Sequence, residues 1–85
     1  MIRRVYTVYD IKIEAYLQPF FALSKGDAIR DFVQVVNDKS TKIGLHPEDF
    51  TLFEIGTYDD STAKLVAHTT PTALGVAIEF IREAA

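Results

Sequence analysis

One order of elements, used twice, constrains this chain more than any other feature. Residues Arg4–Asp10, Pro19–Leu23 and Ser24–Asn37 carry the patterns of strand, strand and helix, and Phe50–Thr57, Ala63–His68 and Thr70–Glu83 repeat that order. Each expected helix follows directly from a strand and opens on a hydroxyl residue, Ser24 or Thr70, a preferred helix N-cap. Such a helix buries its apolar stripe against the sheet it has just left. The expected fold is therefore α+β: a two-layer ββαββα sandwich with a four-stranded, mixed or antiparallel sheet and two helices on one face. The repeat is one of topology, because side chains in the two halves differ.

The local signals support each element. Arg4-Val5-Tyr6-Thr7-Val8-Tyr9 is rich in β-branched and aromatic residues, the composition of a strand. Its alternation sets Val5, Thr7 and Tyr9 on one face and Tyr6 and Val8 on the other. Both faces are apolar, which predicts a central strand or one covered by a second subunit. Asp10–Tyr16 is expected as a long hairpin loop. Pro19 cannot donate to a ladder, so the second strand belongs at an edge. Ser24 and Asp27 have capping-box spacing. Ala28, Ile29, Phe32, Val33 and Val36 then recur at helical spacing up to a stop at Asn37-Asp38.

Lys39–Pro47 is expected to be irregular, anchored to the core by Ile43 and Leu45. Phe50–Ile55 is the second strong strand, and Asp59-Asp60-Ser61 has the composition of a hairpin turn. Thr70-Pro71 predicts a helix start, since proline is preorganised for the first helical position. Leu74, Ala77, Ile78 and Ile81 would form that helix's buried stripe.

Eighty-five residues fit one domain, residues 1–85, with no room for a second core. The absence of cysteine excludes disulfides and thiolate chemistry and fits a reducing compartment. No apolar run is long enough to span a membrane. The apolar stretch after Arg3-Arg4 breaks at Asp10, too early for a signal peptide, so the protein is expected to stay where it is made.

No catalytic constellation is visible, and an enzyme is not expected. His46 and His68 are the only histidines and lack close ligand spacing, so neither a metal nor a cofactor is expected. Asp59 and Asp60, with Glu48 or Asp49, lack the alternating oxygen ligands of a calcium loop. Ser24 and Thr70 are accounted for as caps, and the four glycines are too scattered for a phosphate loop.

The aromatics carry more. Tyr6, Tyr9, Tyr16, Phe20, Phe21, Phe53 and Tyr58 lie on or beside expected strands. With Arg3, Arg4, Lys12 and Lys64 near them, such rings can stack on single-stranded bases. They can equally fill the core or form a dimer seam. With both helices on one face, the other face needs a partner, and a homodimer is the expected one. The net charge of −3 argues against simple nucleic-acid binding, which rests on clustered positive charge.

Tyr6-Thr7-Val8-Tyr9-Asp10, Pro19-Phe20-Phe21-Ala22, Ala28-Ile29-Arg30-x-Phe32 and Asn37-Asp38 occur in that order. They are followed by Pro47-Glu48-Asp49-Phe50-Thr51-Leu52 and Ile55-Gly56-x-Tyr58-Asp59-Asp60. Together they resemble the small nonstructural protein of gokushovirus-like Microviridae, single-stranded DNA bacteriophages, from about Arg4 to Ile81. The resemblance implies a nonstructural viral protein in the host bacterial cytoplasm that assists single-stranded DNA replication or its switch to genome synthesis. It would bind DNA or the replication complex as a dimer; the expected partners are single-stranded DNA, a phage or host replication protein and a second copy, with no membrane.

The expected nucleic-acid-binding residues are Arg3, Arg4, Tyr6, Lys12 and Tyr16, with Lys25 and Arg30 as further cations. The alternative is an acidic protein–protein interaction adaptor, using Glu48, Asp49, Asp59 and Asp60 to bind a host or phage protein without touching nucleic acid.

Overall fold

A computed structural model describes residues 1–82. The chain runs β1 (Ile2–Asp10), β2 (Ala15–Tyr16), β3 (Phe20–Ala22), α1 (Lys25–Val36) and α2 (Lys42–Leu45). A 3-10 turn (Pro47–Asp49) follows, then β4 (Phe50–Asp59), β5 (Lys64–Val76) and a last 3-10 turn (Ala77–Phe80). The class is mixed α and β, with a fully antiparallel five-stranded sheet. β1 and β4 are central. β5 forms one edge, and β2 and β3 share the other, pairing with successive stretches of β1.

The first half follows expectation closely. Asp27 N–H donates to Ser24 Oγ at 3.1 Å, as an N-cap requires. The Asp27 carboxylate reaches back to the Leu23 N–H at 3.4 Å rather than to that of Ser24. Asn37 closes the helix, its backbone N–H bonded to Val33 O. The Asn37 side chain also donates to Phe80 O at 3.1 Å and accepts from the Arg82 N–H at 2.7 Å, tying the end of the described chain to α1.

Tyr6, Val8, Phe50 and Leu52 from the sheet meet Ala28, Phe32 and Val36 of α1, with Ala22 and Ala77 completing the core. Ile43 of α2 packs on this cluster. Leu45, expected to anchor the same segment, is instead 57% exposed, because the single turn of α2 can bury only one side.

The second half departs from expectation. No helix starts at Thr70-Pro71; β5 continues through both to Val76, and only the short 3-10 turn follows. The last residue of the expected helix, Glu83, lies outside the described residues. Thr69, Thr70 and Thr72 are β-branched and favour extended backbone. Gly75 adopts φ +151°, and a Cβ there would lie 2.9 Å from the Phe80 ring. Pro71 is tolerated because it sits in a bulge, where it owes no ladder bond. β4–β5 pairing steps from Gly56↔Ala67 to Glu54↔Thr72, setting the single residue Ile55 against the four residues His68 to Pro71. Ile55 is also the extra residue against β1, between the Val5↔Gly56 and Tyr6↔Glu54 pairs.

Candidate functional site

The two sheet faces differ in kind. On the helix side, beyond the apolar core, β1 and β4 bring together Arg4, Tyr6 and Glu54, and the β5 bulge adds His68. Glu54 Oε1 accepts from Arg4 Nη1 at 3.1 Å and from the Tyr6 hydroxyl at 3.0 Å. His68 Nε2 lies 2.7 Å from Glu54 Oε2, donating to the carboxylate.

Tyr6 is wholly buried and the Glu54 side chain is only 12% exposed, while Arg4 and His68 reach solvent, so the network is sheltered at its centre and open at its rim. Burial alone would raise the Glu54 carboxyl; the hydrogen bonds from His68, Arg4 and Tyr6, with the charge of Arg4, outweigh it and hold the group below the usual range. Burial and the bond to Glu54 push the Tyr6 phenol up to about 12.

No helix among the described residues covers the opposite face. Tyr9, Tyr16 and Phe53 form an edge-packed trio at one end, with ring centroids 4.8 and 5.5 Å apart. Phe21 meets Tyr58 at 5.4 Å at the other end. Val5 and Thr7 beneath them are buried. Tyr16 and Phe21 stand half exposed, at 50% and 51%. Opposite Tyr9 and Val5 of β1 respectively, they are about 13 Å apart along the strand. Between them lie two open hollows of about 280 and 170 Å³, both bordered by Pro19 and Ile55; Pro71 closes the first and Leu65 the second. The bulged Ile55 is what fills the middle of this face.

The five expected binding residues therefore do not form one surface. Tyr16 and Arg3 belong to the open face, and Lys12 sits on the exposed turn beyond Tyr9 and Tyr16. Arg4 and Tyr6 point to the helix side, and the Tyr6 ring, stacked on Phe20 at 5.8 Å, offers no free face. Arg3 is held by Asp60 at 3.0 Å, and Arg30 by Asp27 at 2.8 Å. Lys12 and Lys25 make no ion pair among the described residues.

The acidic residues are likewise divided. Glu48 and Asp49 precede β4 while Asp59 and Asp60 follow or end it, roughly 30 Å away along the strand. Sequence reasoning did not single out Glu54, and it weighed His68 only as a metal ligand, not as a partner of Glu54. A signal was present: Glu54 is the one charge within Phe50–Ile55, and a charge in a buried strand requires partners.

Neither a curated protein nor a solved structure matches this chain. The model of one family, described as Phage ORF5 protein, matches residues 3–80, which takes in the sheet except for Ile2, together with α1, α2 and every member of the Glu54 network. The chain is a phage protein and belongs to the Phage ORF5 family.

Proposed function

We propose that this protein is a binding module that takes single-stranded nucleic acid on its helix-free sheet face during phage DNA replication. The observation that carries the reading is the pair of half-exposed rings, Tyr16 and Phe21, backed by Tyr9, Phe53 and Tyr58 on one uncovered face. Aromatic platforms of this kind hold unpaired bases by stacking, whatever the sequence. Lys12 at one end and Arg3 at the other supply backbone contacts. The resemblance to the small nonstructural protein of gokushovirus-like Microviridae supports placing the activity in the replication of a single-stranded genome inside the host bacterium. The protein acts without catalysis, and a homodimer brings two such faces to one strand.

Fluorescence anisotropy with labelled single- and double-stranded oligonucleotides, at low and physiological salt, tests this. Single strands bind more tightly than duplex, and binding weakens as salt rises. Tyr16→Ala or Phe21→Ala each loses roughly 5- to 150-fold in affinity, since one base stack contributes about 1–3 kcal/mol. Equal binding by these variants, or none by the parent at low salt, overturns the proposal.

The exposed Leu65 and Val66 beside the second hollow favour a second reading, an adaptor whose protein partner covers this face. A protein partner that is lost with Leu65→Ser or Val66→Ser, while the parent binds no nucleic acid, would support it.

A further inference from the structure

The 3-10 turn between α2 and β4 gathers three unlike ligands within four residues. One ring nitrogen of His46 and one carboxylate oxygen each of Glu48 and Asp49 all lie within 4.8 Å of one another. Backbone bonds fix the turn: His46 N–H donates to Lys42 O at 2.9 Å and Asp49 N–H to His46 O at 3.0 Å. Pro47, at its first position, stiffens it further. No lysine or arginine pairs with either carboxylate among the described residues.

Asp49 supplies an independent observation. The residue is only 8% exposed, yet no donor among the described residues reaches its carboxylate. The unpartnered carboxylate oxygens keep a narrow opening to solvent, and one of them lies within 4.8 Å of the His46 nitrogen and the Glu48 oxygen. A carboxylate mostly withdrawn from water and left without a protein donor favours a cation at its remaining opening.

We propose that His46, Glu48 and Asp49 bind a divalent first-row transition ion, with Zn²⁺ the best match. An imidazole ligand disfavours Mg²⁺ and Ca²⁺, which prefer all-oxygen shells. Zinc accepts one nitrogen and two carboxylate oxygens at about 2.0–2.2 Å. Tetrahedral ligands at that radius are about 3.4 Å apart, so atoms within 4.8 Å of one another need to close by at most about 1.4 Å. His46 and Glu48 are exposed and free to make that movement. Water completes the shell. The Asp49 carbonyl accepts from the Ile11 N–H at 3.1 Å, so the ion would pin the start of β4 to the end of β1.

The test titrates metal-free protein with Zn²⁺ against a chromophoric chelator, with Mg²⁺ in parallel and Co²⁺ absorbance reporting the ligand field. One Zn²⁺ binds per chain, Mg²⁺ does not compete, and thermal stability rises with Zn²⁺. His46→Ala and Glu48→Gln, both at exposed positions that leave the fold intact by circular dichroism, weaken Zn²⁺ at least about tenfold. His68→Ala leaves binding unchanged. Absence of saturable Zn²⁺ binding, binding untouched by His46→Ala, or loss with His68→Ala instead overturns the site.

Discussion

Replacing Glu54 with alanine probes the network that joins three strands. The substitution leaves the hydroxyl of the wholly buried Tyr6 without its acceptor, and an orphaned buried donor costs about 1–3 kcal/mol. It also removes the Arg4 pair, in which the arginine is half exposed and contributes about 0.2–1 kcal/mol. Loss of the His68 contact frees the bulge of β5. Together the change is about 2–4 kcal/mol, which in a domain this size lowers the melting temperature by roughly 10–25 °C.

Urea denaturation followed by far-ultraviolet circular dichroism measures it, the chain having no tryptophan. Tyr6→Phe combined with Glu54→Leu, which deletes both polar partners, costs less than the sum of the single changes. The pH dependence has a fixed sign. Glu54 has a depressed folded-state pKa, so its contribution is present above the unfolded value and lost as pH falls through the folded one. The gap between parent and Glu54→Ala therefore narrows in acid. A loss below about 1 kcal/mol at neutral pH, or a gap that widens in acid, would refute the argument.

Three further outcomes follow from the same geometry. Tyr6, with its phenol raised to about 12, contributes stability that is present below the unfolded tyrosine pKa and lost as pH rises through the folded one; an ultraviolet titration of the parent shows a late-ionising phenol that Tyr6→Phe lacks. Gly56→Ala would bring a Cβ to 2.3 Å from the Val66 carbonyl across the β4–β5 ladder, so urea denaturation records a loss of about 1–3 kcal/mol. Ser24→Ala removes the acceptor for the Asp27 N–H and lowers stability by about 1 kcal/mol in the same assay.

What the sequence made legible was local and periodic. β1, α1 and β4 are long enough for alternation or helical spacing to fix both type and buried face. Ser24 marks the start of α1, and Asn37 its end. Val5, Thr7 and Tyr9 do share a face opposite Tyr6 and Val8, as the alternation of β1 requires. Long-range pairing was less legible. Alternation places Arg3 and Arg4 on opposite faces, yet their neighbouring numbers suggested one cationic patch. Asp60 and Glu54, which engage them, lie more than 45 residues away in the chain. Glu48 and Asp49 were separated from Asp59 and Asp60 by the extended length of β4, which only its continuous pairing with β1 establishes.

The failure at Thr70 is the most instructive, because correct local rules gave the wrong element. Thr-Pro followed by Leu74, Ala77, Ile78 and Ile81 satisfies a helix, but the same residues also serve a strand that turns over at its end. Gly75 decides between them. In a helix interior it costs about 1 kcal/mol relative to alanine, whereas in β5 its positive φ lets the chain pass the Phe80 ring. Phe80 then packs edge-on against Phe32 at 5.7 Å, filling core space the missing helix was expected to occupy. The exchange also reshapes both faces of the sheet. With β5 running on past the bulge, His68 is carried to Glu54 on the helix side and Pro71 to the border of the aromatic hollow on the open side. One four-residue bulge thus supplies a partner to each face.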